Sequence, residues 1–308
     1  MPSNGQILFV SDRAQPEDLS FDIFRMDLNG QNVTQLTTSG GTRTLPQWSP
    51  DGTQIAFTDA NDHLYVMNAD GMNPIQLTGD PLTVEKFAWS PDGTEIAFIE
   101  LNGVYVITLS SLELTNLNVL GSFEYDRDLQ WSPDGSTIYG LIYSGQLYLM
   151  SVDRQTGMTD LLADDMNVWG FDISPDGTKL LFSGDSSDGN LFMSDLDGSN
   201  RVAMTMSEMP SRVRWNSIGD KIAYWAWTNG QRALFAVNSD GSSETQVIDA
   251  TDKTIDLLGF ADESRIIYTL VGDDGADIFT VRIDGTDLQQ LTSADADWER
   301  AASYHPEP

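Results

Sequence analysis

The stretch Trp48-Ser49-Pro50-Asp51-Gly52-Thr53, followed by the apolar run Ile55-Ala56-Phe57, decides the fold because it recurs along the chain. Clear copies begin at Trp89, Trp131 and Ile173, and two decayed copies begin at Trp215 and Phe260. Successive copies are 41, 42, 42, 42 and 45 residues apart, and after another 44 residues a remnant follows at 304–307. A period of this length is typical of repeat architectures such as β-propellers.

The pattern of apolar runs and turns in each repeat predicts four short strands. After the Asp-Gly turn comes one apolar run, and a second follows at 64–67 in the clearest copy. A polar hairpin turn at 68–71 and a short third run at 75–78 complete that copy, while the residues leading into the tryptophan supply one more strand. No segment of ten residues or more shows a helical period. Four antiparallel strands in this length predict one propeller blade, whose faces need neighbouring blades to cover them.

Counting the repeats predicts an all-β fold, a seven-bladed β-propeller of four-stranded antiparallel blades in one domain over residues 1–308. Residues 6–37 contain three strands of a blade without its first strand, and 300–308 resembles that missing strand. We therefore expect the C-terminal strand to pair with the N-terminal three and close the ring, which removes an exposed sheet edge. The predicted blades span about 300–308 plus 6–37, 43–78, 84–120, 125–163, 168–206, 211–250 and 255–292.

The composition excludes several classes of protein. The 47 acidic residues outnumber the 16 basic ones and give a net charge of −31, which repels a phosphate backbone and excludes nucleic acid as a general partner. The chain has no cysteine, so disulfides, thiolate metal sites and a cysteine nucleophile are excluded. No run approaches 18 apolar residues, so membrane insertion is not expected. The first residues lack a signal-peptide pattern, so the protein is cytoplasmic or its signal peptide is absent from this sequence.

Motifs for catalysis are missing from the sequence. There is no His-Glu-x-x-His zinc motif, no Gly-x-Ser-x-Gly nucleophile elbow and no glycine-rich nucleotide loop. The two histidines are His63, at the beginning of a third-strand run, and His305, in the predicted closing turn, and we expect both to be structural. We accordingly predict no catalytic residues.

The pattern Trp-Ser-Pro-Asp-Gly-x-x-Ile-Ala-Phe, then Leu-Tyr-Val-Met-Asn-Ala-Asp-Gly, then Gln-Leu-Thr, clearest over 48–78, resembles the TolB-type repeat of WD40-like propellers. The resemblance covers nearly the whole chain. Similar repeats occur in the propeller parts of tricorn-type and prolyl-oligopeptidase-type peptidases, but the repeats here leave no room for an α/β-hydrolase domain. The resemblance implies a propeller fold and a periplasmic or extracellular setting.

Basic residues concentrate just before the marker aromatics. Six of the sixteen lie there, namely Arg43, Lys86, Arg127, Arg212, Arg214 and Arg300, and Trp169 occupies the corresponding stretch of another repeat. In a propeller these first strands line the central channel, so we expect a cationic channel mouth that binds a peptide or partner protein. The alternative is a solvated polar network in which these bases pair with Glu85, Asp126, Asp128, Asp256 and Glu299.

Two tryptophans form a second candidate for ligand contact. Trp225 and Trp227, together with Tyr143, lie at the ends of second strands, and residues two apart point to the same side of a strand. Exposed aromatics of this kind contact peptides or sugars in binding sites. The alternative is that they pack into adjacent blades.

Acidic loops suggest a different function. They contain Asp185 and Asp188 in one repeat and Asp273, Asp274 and Asp277 in another. Such loops offer the oxygen ligands that calcium prefers, and they would suit a cation-dependent carbohydrate-binding protein or enzyme. The alternative is ordinary solvated turns, with no cofactor. We expect a monomer that binds a peptide or protein, and a small-molecule or sugar ligand stays open.

Overall fold

The computed structural model describes residues 5–14, 21–38, 46–100, 103–119, 128–143, 145–186, 189–204, 206, 209–249, 253–273, 275–293 and 298–306. Within these ranges the chain forms 28 β-strands in seven four-stranded antiparallel sheets. The predicted fold class, a seven-bladed β-propeller, is confirmed. Over the same ranges there is no helix with the length and apolar character needed to cross a bilayer.

The chain divides into two compact units. One unit contains residues 1–83 and 247–308, and the other contains 84–246. The strands before residue 84 are β1 (Gly5–Ser11), β2 (Asp22–Asp27), β3 (Thr34–Gln35), β4 (Gln47–Trp48), β5 (Gln54–Thr58), β6 (Leu64–Asn68) and β7 (Ile75–Gln76).

Sixteen further strands follow from residue 86. They are β8 (Lys86–Trp89), β9 (Glu95–Glu100), β10 (Gly103–Thr108), β11 (Glu113–Asn116), β12 (Leu129–Trp131), β13 (Thr137–Tyr143), β14 (Leu147–Asp153), β15 (Thr159–Leu161), β16 (Asn167–Ile173), β17 (Lys179–Ser186), β18 (Gly189–Asp195), β19 (Val202–Met204), β20 (Met209–Trp215), β21 (Lys221–Thr228), β22 (Gln231–Asn238) and β23 (Thr245–Ile248). The remaining strands are β24 (Thr254–Phe260), β25 (Arg265–Gly272), β26 (Gly275–Arg282), β27 (Gln289–Gln290) and β28 (Glu299–Pro306).

Each blade follows the chain in order, except the first. The first blade has the order β28-β1-β2-β3, and the second to seventh blades are built from β4–β7, β8–β11, β12–β15, β16–β19, β20–β23 and β24–β27. β28 pairs with β1 from Gly5↔Pro306 to Ser11↔Glu299, which is the predicted closure. His305 therefore lies in a strand and not in the predicted closing turn, because the strand pairing continues to Pro306.

The Ser-Pro-Asp-Gly turns are held by local hydrogen bonds. Ser132 Oγ donates to Asp134 Oδ1 at 2.6 Å and accepts from Thr137 N at 2.9 Å. The bond from Ser132 contributes most to a pKa of Asp134 below its ordinary value. Gly177 in a homologous turn has a φ of +67° and an added Cβ would lie 3.0 Å from Pro133 of the preceding blade, so glycine is required by both conformation and packing.

The central strands of the blades form the core. In β9, residues 96–99 are all at most 1% exposed, as expected for strands that are covered on both faces. The marker aromatics pack between blades as predicted: Trp131 belongs to the same buried cluster as Ala88, and its indole Nε1 donates to the Ala88 carbonyl oxygen at 3.1 Å. The outer strands are exposed, and Ile75 in β7 is 54% accessible.

Candidate binding site on the first strands

The first strands of neighbouring blades lie against each other. In the 84–246 unit, β8 contacts β12 and β16 contacts β20. The backbones of β16 and β20 come especially close, because a Cβ added at Gly170 would lie only 3.0 Å from Arg212 N. These strands therefore bring side chains from different repeats close together. We call the surface formed by β8, β12, β16 and β20 the inner face of the 84–246 unit.

β-Bulges interrupt the first strands where the predicted binding residues lie. The register of β16 with β17 shifts between Val168 and Gly170, which leaves Trp169 as the extra residue. The register of β20 with β21 shifts between Ser211 and Arg214, and Arg212 within this bulge has a φ of 49°. A bulge inserts one residue and redirects the side chains around it, and bulges are frequent next to functional sites. Trp169 is half-buried in this position.

Arg214 is the centre of the polar cluster on the inner face. Its Nη2 donates to Asp128 Oδ2 at 3.0 Å, and its Nη1 donates to the Phe171 and Val213 carbonyl oxygens at 3.3 and 2.9 Å. The side chains of Arg214 and Asp128 are 17% and 22% exposed, so the ion pair is only partly accessible to solvent. Burial opposes the charge on Arg214, but the carboxylates of Asp128 and Asp172 outweigh it, so its pKa lies above the ordinary value.

Two further cations act on Asp128. Burial alone would raise the pKa of Asp128, but the charges of Arg214, Arg212 and Lys86 together hold that pKa below its ordinary value. Arg212 also disfavours the positive charge of Arg214, so the two guanidinium groups lie within electrostatic reach of each other. The structure thus brings together three of the six basic residues that the sequence singled out.

Asp172 is the member of the cluster that the sequence reasoning missed. Its Oδ2 accepts a hydrogen bond from Trp215 N at 2.7 Å, and the side chain of Gln130 also bonds to it. Burial raises the pKa of Asp172 to about 6, although the positive charge of Arg214 lowers it. A sequence signal for it exists, since Asp172 immediately precedes the marker position Ile173 in a repeat without a basic residue there.

The remaining predicted bases fall into two groups. Arg300 lies in the other unit, where its Nη2 donates to Asp256 Oδ2 at 2.6 Å, so the predicted alternative of acid–base pairing describes this residue, as it describes Arg214 with Asp128. Next to it, the fully buried Glu299 forms an ion pair with Arg13 and accepts from Ser11 Oγ at 3.3 Å. Arg43 and Arg127 lie outside the described residues.

The predicted tryptophan pair shares one arginine. Trp225 and Trp227 lie on β21, and the guanidinium carbon of Arg232 on β22 is 5.1 and 4.7 Å from their respective ring centroids. Trp225 is half-buried, whereas Trp227 is 51% exposed. The two side chains lie on one side of the strand as expected, and only Trp227 offers a large accessible surface. Tyr143 ends β13 in another blade and is half-buried.

Two residues of the predicted acidic loops lie in strands instead, because Asp185 of β17 pairs with Asn167 and Asp277 of β26 pairs with Leu270. Asp185 Oδ1 accepts from Asn167 N at 3.0 Å, and Asp277 Oδ1 accepts from Thr292 Oγ1 at 3.3 Å. Asp273 follows β25, while Asp188 and Asp274 lie outside the described residues. In the part of the chain that the structure describes, no three His, Asp or Glu side chains are grouped as a metal site would require. Calcium binding stays a prediction of the alternative function only.

Comparisons with known proteins agree on the architecture. Residues 6–88 match the family model of the dipeptidyl peptidase IV N-terminal region. Over 129 residues the chain is 26% identical to dipeptidyl-peptidase 5 of Porphyromonas endodontalis, and this match covers 38% of the chain and 19% of that protein. The chain therefore spans about a fifth of the length of this curated relative.

Solved structures match over most of the chain at low identity. TolB from Acinetobacter baumannii superimposes with a TM-score of 0.57 at 14% identity, covering 92% of this chain and 79% of that one. A puromycin-hydrolyzing peptidase of Mycobacterium tuberculosis superimposes with a TM-score of 0.73 at 15% identity, covering 93% of this chain and 51% of that one. At these identities the likeness concerns the fold. The chain has the fold of a TolB-type β-propeller.

Proposed function

We propose that this protein is a non-catalytic binding propeller that engages an acidic peptide segment of a partner protein at the inner face of the 84–246 unit. The observation that carries the proposal is the cluster of Lys86, Arg212 and Arg214 around Asp128. The cluster places three cationic side chains beside the carboxylates of Asp128 and Asp172. Such a concentration of cationic side chains is unusual in a chain of net charge −31 and would attract a carboxylate group.

The surroundings of the cluster suit a peptide. Arg214 is fixed by three acceptors and can present its remaining donors in a set direction, which favours geometric recognition of carboxylates. The half-buried ring of Trp169 lies in the bulge of the neighbouring first strand and supplies an apolar contact. Carboxylate recognition next to an aromatic surface is a common feature of protein-binding sites. By its resemblance to TolB-type proteins, we infer an extracytoplasmic setting.

A role in peptide processing is the second candidate, because one relative and one structural neighbour are peptidases. Both histidines contact other side chains. His63 Nδ1 lies 3.6 Å from Asp59 Oδ2, and His63 Nε2 lies 3.4 Å from Asp80 Oδ1. The ring centroid of His305 lies 6.1 Å from that of Trp48. We therefore expect this chain to bind peptides without cleaving them. Incubation with fluorogenic dipeptide substrates, with product release as the measurement, distinguishes the two functions.

The binding proposal is tested by fluorescence anisotropy with a labelled peptide that contains two glutamates and a free C-terminal carboxylate. The matched peptide has glutamines and an amidated C-terminus. We expect the acidic peptide to bind at least tenfold more tightly at low salt. The double variant Lys86→Gln plus Arg212→Gln is expected to remove most of that preference.

The control variant is Lys179→Gln plus Arg282→Gln. It changes the net charge by the same amount. The two side chains are 43% and 48% exposed, and each forms an ion pair outside the cluster. We expect it to weaken peptide binding less than twofold. Equal losses in the two double variants would mean that only the overall charge matters and would refute the proposed site.

A further inference from the structure

A stacked aromatic pair recurs in six blades, and one pair differs from the others. The pairs are Phe9–Phe24, Phe57–Tyr65, Phe98–Tyr105, Phe182–Phe192, Tyr224–Phe235 and Tyr268–Phe279, with ring centroids 5.4 to 5.6 Å apart. In five of these pairs the second-strand ring is at most 1% exposed. Phe57 is the exception, because both it and Tyr65 are only half-buried. The second blade therefore leaves an aromatic surface partly open.

The pair of the fifth blade is covered by apolar residues of the preceding segment. Ala163 and Met166, which lead into the fifth blade, belong to the same buried cluster as Phe182 and Phe192. In the second blade Leu36 packs beside Phe57, but it is followed by Thr37 and Thr38. A pocket of about 450 Å³ lies there, lined among others by Leu36, Thr38, Phe57 and Tyr65. We call it the Phe57 pocket.

The chemistry of the Phe57 pocket combines a flat apolar wall with one carboxylate. Phe57, Tyr65 and Met67 form apolar lining, and Asp59 is the acidic residue of the lining. Asp59 Oδ1 accepts from Asn61 N at 2.9 Å and from His63 N at 3.0 Å, so its carboxylate is held in place by its own loop. Burial, with a further contribution from Asp59, raises the pKa of Tyr65, so this hydroxyl stays neutral.

We infer that the Phe57 pocket binds a small molecule made of one aromatic ring system and a protonated amino group. The ring stacks on Phe57 and Tyr65, and the ammonium group faces the carboxylate of Asp59. Aromatic stacking supplies apolar burial and a preferred geometry, while the negative charge selects a cation over an anion. The pocket volume lies within the range of small-molecule sites, and the net charge of −31 favours cations further.

The inference is tested with two probes of similar size and opposite charge, tryptamine and indole-3-propionate. Binding is measured by isothermal titration calorimetry and by saturation-transfer NMR at pH 8. We expect tryptamine to bind at least tenfold more tightly than the anion. Failure of tryptamine to bind at 10 mM, or a preference for the anion, would overturn the inference.

Two variants separate the contributions of the ring and the charge. Asp59→Asn keeps the acceptor oxygen for the loop and removes the charge, so the preference for tryptamine should fall below twofold. Phe57→Leu should weaken both probes at least fivefold. The matched controls are Asp240→Asn, in an exposed turn of similar hydrogen bonding, and Phe98→Leu, in a buried pair; neither should change binding. Equal effects in Phe57→Leu and Phe98→Leu would show that general destabilisation is responsible and would overturn the assignment.

Discussion

Replacing Asp172 by asparagine should stabilise the protein at neutral pH. The folded-state pKa of about 6 lies above the ordinary value of 3.8, and one pKa unit corresponds to about 1.36 kcal/mol. The ionised carboxylate therefore destabilises the fold by about 3 kcal/mol relative to a neutral group at that position. Asparagine is neutral at every pH and its side-chain oxygen can still accept from Trp215 N.

The sign and the pH range of this effect follow from linkage. Because folding raises the pKa of Asp172, the stability associated with its neutral form is complete below about pH 3.8 and is lost as the pH rises through about 6. The gain in unfolding free energy for Asp172→Asn should therefore grow from about 1 kcal/mol at pH 4.5 to about 3 kcal/mol at pH 8. Urea titrations followed by tryptophan fluorescence measure both values, and the difference from the wild type cancels the titrating groups outside the cluster.

Asp128→Asn is the matched control, because it changes the same cluster in the opposite direction. Arg214, Arg212 and Lys86 hold the pKa of Asp128 below its ordinary value, so its ionised form stabilises the fold and that stability is lost as the pH falls. Asp128→Asn should destabilise the protein at pH 8, and less so at low pH. A gain for Asp172→Asn that does not vary with pH, or a loss at pH 8, would refute the burial argument for Asp172.

The other predictions concern the closure, the repeated turn and calcium. Deletion of residues 299–308 should lower the unfolding free energy by much more than the roughly 1 kcal/mol of an average substitution, because β1 loses its partner strand; an unchanged Tm would contradict the closure. Ser132→Ala should cost about 1–2 kcal/mol in urea unfolding, because it removes bonds to Asp134 and Thr137, whereas Ser111→Ala, at an exposed 3.3 Å contact, should change it little. Calcium at 2 mM is expected to leave the Tm unchanged, because Asp185 and Asp277 lie in strands and already accept hydrogen bonds from Asn167 and Thr292; a rise that EGTA reverses would instead support the predicted metal site.

The sequence by itself determined the repeat and therefore the fold. The bonds from Ser132 Oγ to Asp134 and from Thr137 N to Ser132 span at most five residues. The turn can therefore be predicted from a short local motif. The decayed copy that begins at Trp215 keeps the same local hydrogen bond, since Asn216 replaces the serine and its side chain accepts from Lys221 N. The number of copies then predicted seven blades, and the missing first strand predicted the pairing of β28 with β1.

Only the tertiary structure decided which charged residues meet. Arg214 pairs with Asp128, 86 positions away, and Arg300 pairs with Asp256, 44 positions away, so their partners depend on how first strands pack together. The bulge at Arg212 shifts the strand register by one residue, and one residue moves a side chain to the opposite face. The raised pKa of Asp172 and the partial exposure of the Phe57 ring have the same origin. Both depend on burial by surrounding atoms, which residue spacing in the sequence does not specify.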